Sequence, residues 1–269
     1  VTLTNPQEYP PAVHMLRDLR IEFEHGEGES RAWIPATRAI ADARGHVRLG
    51  ALATLVDVIG GGLAALAAAP GWIATADLTV HRVEPFVAND RTLLEARGRV
   101  LRAGRTTVVI ECTILGAGSQ LAIATMTFSV LDRRDSNPVI GPVPGEPMRH
   151  SMALPDSGFD VPLLDALGIE LIDPGIASMV IAPYVVNSLG SVQGGALATL
   201  AEYAAETLDP SVGTATVDLQ LSYLALAKVG PIRAEAVALG GGAVKVEVVD
   251  AGAARRATVA SARTEPVAT

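Results

Sequence analysis

Apolar and polar residues alternate along most of this chain, and two stretches break the alternation by being apolar or small on nearly every side. Alternation with a period of two marks half-buried strands; apolar residues on every face of a helical stretch mark a helix surrounded by protein. The first such stretch starts at RLGALATLVD (Arg48 to Asp57) and runs to about Ala69; the second starts at QGGALATLAE (Gln193 to Glu202) and breaks at Asp209-Pro210. Strands are predicted before each: Leu19 to Glu24 and Arg31 to Pro35 in the first half, Gly168 to Ile172 and Ala177 to Pro183 in the second. After the first helix, alternation predicts strands at 72–83, 93–102, 106–115 and 121–131. After the second it predicts them at 213–224, 231–239, 244–249 and 258–263. Short helices are expected at Ala12 to Leu16 and Val161 to Leu167, and an arm is expected up to about Pro11.

The two helix openings share the core GALATL, 145 residues apart, and each carries an acid nine residues after its first position. A repeat this close implies an internal duplication, with each copy one long helix wrapped by hairpin-connected antiparallel strands, an α+β architecture. ATADL at Ala74 to Leu78 and ATVDL at Ala215 to Leu219 repeat the match on the strand after the helix. The segment DRRDSNPVIGPVPGEPMRHS is rich in proline and charge and lacks periodicity, so it reads as a linker. This gives three parts: residues 1–132, a linker at 133–158, and residues 159–269.

Asp57 and Glu202 stand out, because an acid in an apolar helix needs a partner or a task. A solvated position at the helix edge, or a pairing with an arginine, would satisfy each of them equally well. The net charge of −8 argues against a general nucleic-acid binder. Cys112 is the only cysteine, so no intrachain disulfide forms and a cytoplasmic setting fits. Cys112 itself lies in an alternating run and reads as a buried strand residue. The N-terminus shows no signal peptide. Leu49 to Ala69 approaches membrane-spanning length, but Asp57, three glycines and many alanines make it a soluble core helix. No metal-ligand spacing is present, and Gly240 to Gly242 read as a turn.

These residues resemble the hotdog-fold acyl-CoA thioesterases, in particular the phenylacetate-pathway (PaaI-like) group. In that family a loop Asn and a His-Gly-Gly precede the central helix, an acid follows nine residues after the His, and a later strand carries a Ser or Thr two residues before an Asp. The resemblance runs once per half and implies a tandem, double-hotdog chain packed as a pseudo-dimer. It assigns Asn187, Gly194, Gly195, Glu202 and Thr216 in the second half and Gly50, Asp57 and Thr75 in the first. Gln193 and Arg48 replace the His, Asp42 replaces the first loop Asn, and Leu49 replaces the first glycine.

The family's logic takes the loop from one module and the acid from the other. One site then combines Asn187, Gln193, Gly194 and Gly195 with Asp57 and Thr75. A second, degenerate site combines Asp42, Arg48 and Gly50 with Glu202 and Thr216. The resemblance implies hydrolysis of an acyl-CoA to free acid and CoA, with the working site built around Asp57. Coenzyme A enters only as part of the substrate, and no other cofactor, nucleic acid or membrane partner is implied. A homo-oligomer of double-hotdog subunits is expected. Loss of the His in both halves keeps a non-catalytic acyl-ligand binder as a rival; a hotdog hydratase or dehydratase is a second rival, ranked lower because that chemistry usually depends on the His. His46 is a candidate stand-in for the missing His and His81 a candidate site residue beside Thr75. Arg97, Arg99, Arg102 and Arg105 suggest either a phosphate clamp or a solvated sheet face. The acyl pocket is expected at the helix seam (Leu52, Val56, Leu197, Ala201), with few aromatic residues near it.

Overall fold

The alternating segments become one continuous antiparallel sheet wrapped around the two apolar helices. The computed structural model describes residues 9–26, 28–133, 149–211 and 213–266. In the first half these form α1 (Met15–Asp18), β1 (Glu22–His25), β2 (Glu29–Pro35), α2 (Leu49–Ala68), β3 (Trp72–Arg82), β4 (Leu93–Ala103), β5 (Thr107–Gly116) and β6 (Ser119–Leu131). A two-residue strand, β7 (His150–Ser151), follows. The second half is α3 (Leu163–Ala166), β8 (Ile169–Asp173), β9 (Ile176–Met179), α4 (Gly194–Glu206), β10 (Thr214–Tyr223), β11 (Ile232–Gly240), β12 (Ala243–Asp250) and β13 (Arg255–Pro266).

Strand order along the sheet is β7-β1-β2-β4-β5-β6-β3-β10-β13-β12-β11-β9-β8. Read outward from the centre, each half repeats the other element for element, with β7 as the one addition. The halves join where β3 pairs with β10, Leu78 lying opposite Leu221 and Val80 opposite Leu219. The inward residues of β5 (Val108, Ile110, Cys112, Ile114) alternate with half-buried ones and supply core.

α2 is long and apolar enough to cross a membrane, yet here it lies in the concavity of the sheet and packs against α4. The contact between the helices explains two glycines. A Cβ on Gly50 would stand 2.6 Å from the Thr199 Cα, and a Cβ on Gly195 would stand 2.6 Å from the Thr54 Cα. GALATL thus recurs because its glycine and threonine interlock across a local twofold axis, each helix offering the glycine to the other's threonine.

Two expectations need correction. The stretch read as a linker lacking periodicity contributes β7, whose His150 pairs with Phe23 of β1; most of that stretch, residues 134–148, lies outside the described residues. The expected N-terminal arm is also partly outside them, at residues 1–8, but Tyr9 and Pro10 pack onto the protein. His14 ties this segment to the second half: its buried ring meets the Val186 carbonyl at 3.1 Å, and Tyr184 donates to Asp18 at 2.9 Å.

Candidate active site

Each helix is entered through a tight loop, and the loop is built the same way twice. In the first half the Asp42 Oδ1 accepts from the N–H groups of Arg44 and His46, both at 2.9 Å. In the second, the Asn187 Oδ1 accepts from Leu189 at 2.9 Å and Ser191 at 3.1 Å. An Asx side chain folding its own loop in this way accounts for an Asp and an Asn at equivalent positions. It also leaves only the Asn187 amide nitrogen, 3.5 Å from the Val192 carbonyl, for any other duty.

Beyond the loops the two helix entrances diverge. The first two amides of a helix have no partner within it and sit at the positive end of the dipole. At the mouth of α2 both are taken: Leu49 N–H donates to Glu202 Oε1 at 2.8 Å and Gly50 N–H to Glu202 Oε2 at 3.0 Å. Arg48 then bonds Glu206 at 2.8 Å and lies 3.9 Å from Glu202, all three side chains being buried. Burial and the Glu206 charge push the Glu202 carboxyl up, while Arg48 and the Gly50 N–H pull it down. This is a closed, charge-paired plug.

At the mouth of α4 the corresponding acid is one methylene shorter. No acceptor for the Gly194 or Gly195 N–H is seen among the described residues. Asp57 instead accepts from the Thr75 hydroxyl at 2.8 Å through Oδ1. Its Oδ2 faces the entrance, 2.9 Å from where a Gly194 Cβ would stand. Any side chain at 194 would therefore strike the carboxylate or the Tyr223 ring. A bulge between Thr75 and Asp77 aims Thr75 inward, and an equivalent bulge falls between Thr216 and Asp218. In the second half, however, the Thr216 hydroxyl has no partner among the described residues, and its N–H serves Glu206 at 3.0 Å.

A cavity of about 510 Å³ opens at this second mouth. Asp57, Thr75, Asn187, Gln193 and Gly194 all line it, so five of the six residues assigned to the working site meet in one place. The sixth, Gly195, does not wall the cavity; its α-carbon is committed to Thr54, and only its N–H remains for chemistry. Burial raises the Asp57 carboxyl to about 6 against the opposing pull of the Thr75 bond. Tyr223, which was not foreseen, donates to the Gly194 carbonyl at 3.0 Å and is kept protonated by burial and by the charge of Asp57. Nothing in the local sequence singled it out, because its relation to Asp57 exists only through the β3–β10 pairing.

Other candidates fall away from the site. His81 pairs with Asp218 at 2.9 Å on the exposed outer face, not beside Thr75. His46 belongs to the loop of the plugged entrance. Arg97 and Arg99 pair with Glu95 and Glu111 on the outer sheet face. Cys112 is buried, its thiol pushed up to about 12. Of the expected pocket residues only Leu197 lines the cavity; Leu52, Val56 and Ala201 are core. Aromatic side chains are not scarce there, since Tyr9, Trp72, Phe128 and Tyr223 all wall it.

Comparison with known proteins bears on the fold. Residues 5–115 match the family model for the acyl-CoA thioesterase C-terminal domain. An acyl-ACP thioesterase from Bacteroides thetaiotaomicron is similar in fold at 12% identity and a TM-score of 0.61, covering 88% of this chain and 98% of that one. A 12:0-ACP thioesterase from Umbellularia californica is similar at 11% identity and a TM-score of 0.58, covering 90% and 99%. At such identities the likeness is one of fold. Curated proteins give no match. Residues 5–115 are thus similar to an acyl-CoA thioesterase domain, and the chain shares the fold of the solved thioesterases.

Proposed function

We propose that the chain is a tandem of two hotdog modules, residues 1–132 and 159–269, packed as a pseudo-dimer, and that it hydrolyses acyl-CoA thioesters at one of its two inter-module mouths. The mirrored strand order and the interlocked GALATL helices support the tandem. The observation that carries the single site is the contrast between the mouths. Glu202 puts two carboxyl oxygens on the first two amides of α2, which supports reading this geometry as a seat for an oxygen acceptor. The same two amides of α4, on Gly194 and Gly195, carry no such plug among the described residues, and Gly194 lines a cavity with Asp57 beside it.

In this reading the thioester carbonyl oxygen takes the place at α4 that Glu202 takes at α2. Charge that builds on that oxygen is met by two fixed N–H donors and the helix dipole, with no reorganisation at the moment of reaction. Thr75 holds Asp57 by Oδ1, leaving Oδ2 to accept a proton from water as the water oxygen attacks the carbonyl carbon. Collapse of the tetrahedral adduct breaks the C–S bond. A thiol of pKa near 8.5 leaves as the thiolate without a dedicated acid, and the proton held by Asp57 returns to solvent or to the sulfur. Direct attack by the Asp57 carboxylate, with water later opening the anhydride, uses the same atoms. Gln193 and the Asn187 amide nitrogen line the approach as hydrogen-bond donors.

The test compares Asp57→Asn with Glu202→Gln for CoA release from a panel of acyl-CoAs. Asp57→Asn is expected to lose activity by about 100-fold or more, while Glu202→Gln retains it. Equal losses would remove the single-site reading; undiminished turnover by Asp57→Asn would remove Asp57 from the chemistry.

A further inference from the structure

α2 carries three consecutive glycines, and packing explains only two. A Cβ on Gly60 would lie 2.8 Å from the Met126 sulfur, and one on Gly62 would lie 2.5 Å from His25 Cε1, so both allow close approach to the sheet. A Cβ on Gly61 would meet nothing nearer than Phe128 at 3.9 Å. Glycine inside a helix is unfavourable relative to alanine, so a glycine that no neighbour demands calls for another explanation. The space beside Gly61 belongs to the cavity.

Asp57, Gly61 and Ala65 follow each other at intervals of four residues and share one face of α2. All three line the cavity. Together they form a lane that leaves the Asp57 carboxyl and runs past the point where α4 begins. Trp72, Ile73, Phe128, Leu131, Tyr9 and Met152 line the same cavity. In the second half Glu206 stands four residues after Glu202, where Gly61 stands after Asp57, and its buried carboxylate bonds Arg48 at 2.8 Å.

We infer that this lane is the acyl chamber, that Gly61 sets its usable length, and that the substrates are thioesters of unbranched, medium-length acids. The inference rests on the single-site reading above. Eight residues of helix from Asp57 to Ala65 span about 12 Å. An extended chain advances roughly 1.3 Å per carbon, given a C–C bond of about 1.5 Å, so the lane seats about nine carbons. An arylacetyl group would fill only its first part.

The experiment measures binding and turnover separately. Affinities of the Asp57→Asn protein for CoA thioesters from acetyl to dodecanoyl, and for phenylacetyl-CoA, are read by titration calorimetry. Tightening of about fourfold per added methylene is expected up to about nine carbons, then a plateau. Adding Gly61→Leu should end the rise at least two carbons earlier, a loss of about tenfold or more for the decanoyl thioester, with acetyl and butanoyl affinity unchanged. Gly61→Ala, which favours the helix, should move the plateau in the same direction by less. An affinity that does not rise with chain length, a maximum at phenylacetyl, or a folded Gly61→Leu protein with the parent profile would each overturn the inference. Failure of the wild-type protein to release CoA would instead count against the hydrolytic reading and leave the binding profile to decide this one.

Discussion

Asp57 should cost the fold stability at neutral pH, and replacing it with its neutral isostere should return that stability. The carboxyl is pushed from its ordinary 3.8 up to about 6, first by burial, with the Thr75 bond as the opposing influence. A carboxyl with a raised native pKa binds its proton more tightly folded than unfolded. Between about pH 4 and pH 6 the native state therefore holds more protons, and stability falls as pH rises through that window. Two pKa units correspond to about 3 kcal/mol, present as a penalty above pH 6 and absent below about pH 4. Asn at 57 keeps an oxygen for the Thr75 hydroxyl and removes the charge. Urea unfolding of wild type and Asp57→Asn from pH 3.5 to 8 should show the variant more stable by about 2–3 kcal/mol at pH 8, relative to their difference at pH 3.5. That corresponds to roughly 5–10 °C in Tm for a chain of this size. A difference that does not change with pH would refute the reasoning, because it would place Asp57 in contact with bulk water.

The same carboxyl predicts that kcat/KM rises with pH through a single ionisation near 6, since only the ionised form accepts a proton, and that Asp57→Asn removes this limb. Glu202→Ala should lower stability by about 3 kcal/mol or more, as two helix-end amides and Arg48 lose their acceptor, while kcat stays within about threefold of wild type; chemical denaturation and steady-state rates check both. Gly50→Ala and Gly195→Ala should destabilise to similar extents, about 1–3 kcal/mol, because each methyl would overlap a threonine backbone on the facing helix; thermal melts of the pair measure this.

Much of the fold was legible because the duplication presents each element twice. A twenty-residue apolar helix flanked by alternating strands admits few arrangements, and the second copy repeated the same arrangement of strands around its own helix. β7 was missed because two residues carry no periodicity; their strand conformation comes from pairing with β1. Five of the candidate site's positions were legible as residues that meet at one cavity, but the contrast between the two helix mouths was not. GALATL looked catalytic, yet its glycine is conserved between the halves by the helix crossing, with chemistry left only to a backbone N–H. The difference between Asp57 and Glu202 is one methylene. It decides whether the acid reaches the opposite helix mouth and closes it, and single-chain patterning does not register that reach. Tyr9, Trp72, Phe128 and Tyr223 come from four separate segments, so their gathering around one cavity follows from strand order for the last three and from the packing of the N-terminal segment for Tyr9.

A crystal structure of the Asp57→Asn protein with an unhydrolysed acyl-CoA tests the central claim most directly. The account predicts the thioester carbonyl oxygen about 3 Å from the Gly194 and Gly195 nitrogens, the residue-57 side chain beside the carbonyl carbon, and Glu202 still seated on α2. A thioester found at the α2 mouth with Glu202 displaced, or bound on the outer face of the sheet, would contradict it.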